Sequence, residues 1–199
     1  GAGKTTLLRV IASLQRADSG TVTLCGNPIG GSAEPMRMLG VHFDPMAMDP
    51  RHTARRHLSW LAALGDIARG RIDDVLALVG LAELRHRRIA QLSMGARQRL
   101  AIASALLAEP RALIFDEPVN GLDVPGIVWL RELLRQLAAD GRTVVVASHL
   151  LGEVALTADR LLVMNRGRVA AAGSLEEILP AGADPRQHLE ALLLRMAAA

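Results

Sequence analysis

The chain has 199 residues, 50% of them hydrophobic, with 23 basic against 20 acidic side chains and a net charge of +3. That length fits one domain able to bury about 70% of its unfolded surface, and no stretch reaches the ~20 consecutive apolar residues of a membrane span. The basic residues are scattered except at Arg85, Arg87 and Arg88, which excludes the clustered footprint of nucleic-acid binding, and the lone Cys25 excludes an internal disulfide and fits a reducing cytoplasm.

The first residues carry chemistry at once. Gly1-Ala2-Gly3-Lys4-Thr5-Thr6 matches the second half of the phosphate-binding pattern G-x-x-x-x-G-K-[ST]. In such a loop successive backbone N–H groups wrap the phosphates, and the following helix aims its positive end at them. Lys4 is the only lysine in the chain. A compact ammonium kept where the other basic residues are arginine suits a phosphate contact. The pattern assigns Lys4 to the β- and γ-phosphates, the Thr5 hydroxyl to Mg²⁺ and Thr6 to the α-phosphate. A glycine-rich turn capping a helix is the other reading of these six residues taken alone. The pattern's first glycine and the strand feeding the loop fall before residue 1, so the expectation is a chain shortened within this loop.

Leu7, Leu8, Val10, Ile11 and Leu14 give the first helix an expected core side. A turn at Asp18-Ser19-Gly20 leads into Thr21 to Leu24 and Gly26, expected as short antiparallel strands. Met38 to Phe43 reads as a strand ending at Asp44-Pro45. Residues 50 to 92 read as helices: Thr53 suits an N-cap ahead of His57, Leu58, Leu61 and Leu64, and Ile72, Val75, Leu76 and Val79 make a second apolar side. His52, His57 and His86 share no metal-ligand spacing on one face and are expected at the surface. Trp60 reads as a core or rim side chain, the more frequent case, or as part of a docking surface on this helical block.

The centre of the chain runs from Leu92 to Asp123. Ser93-Met94-Gly95 opens a helix with Ala101, Ile102, Ala105 and Leu106 on one side. Ala112 to Phe115 suits a strand buried on both faces. It ends in Asp116-Glu117-Pro118, where a parallel sheet holds its ligand, and adjacent acids there are costly unless a metal or substrate uses them. A second turn, Asn120-Gly121-Leu122-Asp123, follows. Leu133, Leu134 and Leu137 then line a helix, and Thr143 to Ala147 reads as another buried strand delivering Ser148-His149. Asp159 to Met164 and Gly167 to Val169 read as a closing hairpin, followed by a Ser174-capped turn, with Arg186 to Met196 as an edge helix.

Together these motifs resemble the nucleotide-binding domain of ABC transporters. LSMGA resembles the family's signature loop, usually LSGGQ; LIFDEP is similar to its Walker B strand and NGLD to its D-loop. The resemblance implies an α/β fold of the P-loop NTPase kind: a mainly parallel sheet with helices on both faces, a small antiparallel β part, and a helical subdomain inserted at about 45–106 in a domain spanning 1–199. It implies ATP and Mg²⁺ as cofactors, with Gly1, Ala2, Gly3, Lys4, Thr5 and Thr6 around the nucleotide and Thr5 and Asp116 toward the metal. Glu117 is then the general base for the attacking water, and His149 the switch histidine that contacts the γ-phosphate.

In the family two such domains face each other head to tail, which implies a homodimer in which Ser93, Gly95 and Asp123 meet nucleotide across the interface. Ser93 and Gly95 sit at a helix N-terminus that favours anions, and a side chain at Gly95 would block close approach. Asp44 takes the position of the family's Q-loop glutamine; a carboxylate binds Mg²⁺ through water but donates no hydrogen bond, and an ordinary turn acid before proline is the alternative. Met94 and Ala96 replace Gly and Gln, a variation the resemblance associates with drug- and antibiotic-exporting members. The implied function is ATP hydrolysis powering export of a small, drug-like molecule through a separate transmembrane permease subunit. The implied location is cytoplasmic, peripheral on the inner face of the cell membrane. A non-transport ABC ATPase of translation or DNA repair, and an inactive shortened remnant, stand as alternatives.

Overall fold

Four apolar residues in a row need cover on both sides, and Ala112, Leu113, Ile114 and Phe115 have it, each at most 4% exposed. They form the middle strand of the sheet that places the site. The computed structural model describes residues 2–29, 32–178, 184 and 187–191. In chain order α1 (Lys4–Ile11) is followed by β1 (Thr23–Leu24), β2 (Asn27–Pro28), α2 (Pro35–Met38) and β3 (Leu39–His42). The helices α3 (Ala54–Leu64), α4 (Gly70–Leu78) and α5 (Met94–Leu106) come next, then β4 (Ala112–Asp116) and α6 (Val124–Ala139). The described part closes with β5 (Thr143–Ala147), α7 (Leu151–Thr157), β6 (Arg160–Asn165), β7 (Arg168–Ser174) and α8 (Leu175–Ile178), and residues 187–191 are helical.

The strands β3, β4 and β5 are parallel and in that order, with Val41 opposite Ile114 and Phe115 opposite Val146. Parallel neighbours need long crossovers, and helices supply them here: α3 to α5 between β3 and β4, α6 between β4 and β5. Two antiparallel pairs, β1 with β2 and β6 with β7, lie outside this sheet. The mainly parallel α/β architecture and its small antiparallel part are as the sequence implies.

The main core joins the three central helices to β4. Leu58 of α3, Ile72 and Leu76 of α4, and Leu100 and Ile102 of α5 are at most 1% exposed and cluster with Phe115. Each such side chain contributes about 1.5–3 kcal/mol relative to an exposed one. The N-cap of α3 is Thr53, whose hydroxyl accepts from the Arg56 N–H at 3.1 Å. Glycine lets α5 lie directly on β3: a Cβ at Gly40 would come 2.1 Å from the Ala105 carbonyl oxygen. The predicted Ser174 cap is a reciprocal one, since Ser174 Oγ accepts from the Glu177 N–H at 3.1 Å and Glu177 Oε2 accepts from the Ser174 N–H at 2.8 Å.

Three expectations need correction. In α1 only Leu8 is buried; the helix stops at Ile11, and Leu14 beyond it is 63% exposed. Thr143 to Ala147 forms a strand, yet Val145 and Val146 are 37% and 39% exposed. The cause is position: β5 pairs with β4 on one edge, and an apolar cleft of about 790 Å³, lined by Leu8, Val145, Leu161 and Val163 among others, separates it from the β6–β7 hairpin. His57, expected at the surface, is 8% exposed, and its Nε2 lies 3.2 Å from Ser104 Oγ, on the α5 face that α3 covers. Trp60 on the outer side of α3 is 55% exposed. Gly1, and Arg186 and residues 192–196 of the expected last helix, lie outside the described residues.

Candidate functional site

The loop before α1 turns sharply at Gly3, whose φ of 93° is a left-handed conformation that glycine adopts without strain. It caps α1, with the Leu7 N–H bonded to the Gly3 carbonyl at 3.0 Å, and the Gly167 N–H ties Ala2 to the β6–β7 turn at 3.1 Å. Lys4 and Thr5 are the first residues of the helix, half-buried, and Thr6 is exposed. Thr5 reaches across 111 residues of sequence: its hydroxyl donates to Asp116 Oδ2 at 2.7 Å. The two sequence motifs thus meet at the C-terminal end of β4. Asp116 Oδ1 is buried and has no hydrogen-bond partner.

Glu117 follows in a strained backbone, with φ of 49°. A non-glycine residue in this region costs on the order of 1–2 kcal/mol. Its N–H donates to the Ala147 carbonyl at 2.9 Å and its carbonyl accepts from the Asn120 N–H at 3.2 Å. The side chain meets the histidine that β5 delivers: His149 Nδ1 donates to Glu117 Oε2 at 2.7 Å, with the imidazole 61% and the carboxylate 24% exposed. Asp116, Glu117, Asp44, Asn120, Gly121, Met94 and Gln98 line a pocket of about 400 Å³. The apolar cleft beside β5 is larger, but it holds none of the carboxylates of Asp44, Asp116 and Glu117.

A divalent cation fits here on the chemistry of the donors. An orphaned carboxylate oxygen, a second oxygen held by a threonine hydroxyl, and a neighbouring acid make a hard oxygen site that calls for positive charge. Among the described residues no group of three or more His, Cys, Asp or Glu could hold a metal by itself. Asp44 is exposed at the pocket rim and its Oδ1 accepts the Met46 N–H at 2.8 Å, so one oxygen serves a turn.

Ser93, Gly95 and Asp123 are not brought to this pocket. Ser93 is exposed at the N-cap of α5, with Oγ accepting from the Ala96 N–H at 3.2 Å, and Asp123 caps α6 through the Gly126 N–H at 3.0 Å. Met94 and Gly121 lie between them: a Cβ at Gly121 would fall 2.3 Å from Met94 Cγ, so the signature side chain rests on the bare D-loop backbone.

Two buried polar residues escape motif reading. Gln98, 1% exposed, donates through Nε2 to the Pro118 carbonyl at 2.8 Å and, at 3.4 Å, to the Glu117 carbonyl. Its signal in the sequence is a polar residue four before Ile102, on the helix's apolar side. His42, also 1% exposed, lies against Phe115 with ring centroids 5.9 Å apart and the planes tilted by 43°. Burial pushes its pKa down to about 4, outweighing the opposing pull of Gln98 and of the Asp116 charge, so the ring is neutral at pH 7.

These features have counterparts in known proteins. The sequence pattern of the family described as ABC transporter matches residues 1–120. The chain is 35% identical over 184 residues to the ABC transporter ATP-binding protein NatA of Bacillus subtilis (strain 168), covering 89% of this chain and 75% of that protein. It is 35% identical to the daunorubicin resistance ATP-binding protein DrrA3 of Streptomyces coeruleorubidus, over 89% of this chain and 58% of that one. It is 37% identical to the sulfate/thiosulfate import ATP-binding protein CysA of Nocardia farcinica (strain IFM 10152), over 89% and 55%. The chain thus spans little more than half the length of several curated relatives it matches.

In three dimensions a solved ATP-binding subunit of an ABC transporter superposes with a TM-score of 0.85 at 24% identity, over 96% of this chain and 84% of that one. A dimeric ATP-binding cassette in a post-hydrolysis state bound to ADP and Pi gives a TM-score of 0.78 at 25% identity, over 88% and 82%. The fold is that of a P-loop ATPase, and the chain belongs to the ABC transporter ATP-binding family.

Proposed function

We propose that the protein binds and hydrolyses ATP as the energy-supplying subunit of an ABC transporter. The observation that carries this reading is the Thr5–Asp116 hydrogen bond beside the unpartnered Asp116 Oδ1, a cation-ready junction between a phosphate loop and a strand-end acid. Gly3, Lys4, Thr5 and Thr6 at the start of α1 cradle the phosphates, with Lys4 neutralising their charge. Thr5 and Asp116 would hold Mg²⁺, which would supply positive charge that offsets the triphosphate. Glu117 takes the proton from the attacking water, and His149, hydrogen-bonded to the Glu117 carboxylate, orients that water and contacts the γ-phosphate. Positioning and charge stabilisation account for most of the acceleration.

Ser93, Gly95 and Asp123, exposed or close to the surface at two helix N-termini, serve nucleotide held by a second copy of the chain. Support comes from their separation from the acidic pocket and from the dimeric state of a similar ATP-binding cassette. A transmembrane permease completes the assembly. This chain sits at the membrane through that partner; among the described residues no helix is long and apolar enough to cross a membrane. Outward transport of a drug-like molecule is supported by the Met94–Ala96 signature variant and the likeness to a daunorubicin resistance protein. The likeness to a sulfate/thiosulfate import protein favours the opposite direction.

Thermal melting of the full chain with Mg-ATP tests nucleotide binding. Ligand at 100 times its dissociation constant adds about 2.7 kcal/mol of stability. The response should vanish in Lys4→Ala. A wild-type chain that melts identically with and without Mg-ATP would sink the proposal.

A further inference from the structure

Gln98 is an anomaly in α5. It is 1% exposed, and its neighbours at Leu100, Ile102 and Ala103 are fully buried and apolar. Besides a pull on the buried His42 ring, nothing on this face of the helix calls for an amide, and burying one costs free energy that methionine at the same place would not incur. The NH₂ end of the amide accounts for its presence. Both atoms it faces on the turn after β4 are carbonyl oxygens, Pro118 O at 2.8 Å and Glu117 O at 3.4 Å, so the NH₂ group must point at them. Pro118 is itself buried.

The turn needs such a hold. Glu117 occupies a left-handed backbone conformation that a glutamate does not choose alone, with φ of 49°. Three elements keep it there: β5 through the Ala147 carbonyl, its own turn through Asn120, and α5 through Gln98. The direction of the Glu117 side chain follows from that backbone. So the helix that opens at Ser93 and Gly95 is tied to the carboxylate at the end of β4.

We propose that Gln98 is a positioning residue for ATP hydrolysis, its side-chain N–H groups fixing the Glu117–Pro118 turn so that the Glu117 carboxylate faces the attacking water. The inference rests on the reading of Glu117 as general base. Gln98 stands in the wall of the acidic pocket but is only 1% exposed, so its loss acts on turnover far more than on binding. A displacement of about 1 Å at a reacting group lowers a rate by on the order of 10²-fold.

The test is a double-mutant cycle of Gln98→Met and Glu117→Gln in the full chain, with single-turnover hydrolysis expressed per site that binds fluorescent ATP. Gln98→Met keeps the side chain's length and removes the donor. The expected result is a fall in turnover of roughly tenfold or more, with ATP affinity unchanged within about twofold. In the Glu117→Gln background Gln98→Met should add almost nothing, because its target is already gone. Equal effects in both backgrounds, or unchanged turnover per binding site, would overturn the proposal while leaving Glu117 as base. Unchanged turnover in Glu117→Gln alone overturns the general-base reading and this inference with it. Should Gln98→Met bind no nucleotide, Gln98→Leu, which also removes the donor and adds no charge, takes its place in the cycle under the same criteria.

Discussion

His149 Nδ1 lies 2.7 Å from Glu117 Oε2, joining the residue after β4 to the loop after β5 across 32 positions of sequence. An ionised carboxylate only accepts, so the ring donates from Nδ1 and leaves Nε2 toward solvent, where the imidazole is 61% exposed. One side chain thus touches the acid, and in the proposed mechanism its other nitrogen goes to the γ-phosphate. His149→Ala should lower steady-state hydrolysis by roughly 10²-fold with ATP affinity nearly unchanged. Equal losses in affinity and turnover would assign His149 to binding alone.

Met94 and Gly121 are a second coupled pair. A Cβ at Gly121 would sit 2.3 Å from Met94 Cγ, and the residue's φ of 79° adds strain for any side chain. Gly121→Ala should destabilise the chain by about 1–3 kcal/mol. Met94→Ala should recover part of that loss in the double variant, leaving the φ strain. Additive melting shifts would show that the two residues do not touch.

The buried histidine of α3 gives the chain a pH-dependent stability. Burial, helped by the nearby His52, pushes the His57 pKa below its ordinary 6.5. The unfolded chain therefore binds this proton more readily than the folded one. The stability is fully present above pH 6.5 and is lost as pH falls below it toward the folded-state value. His57→Leu should flatten the fall in melting temperature between about pH 6.5 and 5 relative to wild type. Identical slopes would place His57 in water.

Much of this site is legible from residues alone because its parts are local. The apolar run Ala112 to Phe115 has to be a covered strand, and the acids after it have to face something polar. Thr53 and Ser174 declare their caps in the same way. What escapes is set by tertiary neighbours. Val145 and Val146 read as core, yet a strand's cover depends on what lies beyond its edge, and here that is a cleft. His57 reads as surface because periodicity does not say that Ser104 of a distant helix will meet it. Gln98 hides within a helix whose apolar face it interrupts; only the carbonyls of Glu117 and Pro118, about twenty residues on, explain it.

The central claim is that Glu117 is the base of an ATPase whose nucleotide is held from Lys4, Thr5 and Asp116. Its most direct test is Mg-ATP hydrolysis by the purified full chain beside Glu117→Gln, with the oligomeric state followed by light scattering. The account predicts a loss of turnover of about 10²-fold or more in the variant, retained ATP binding, and an accumulated ATP-bound dimer. Turnover unchanged by Glu117→Gln would contradict it.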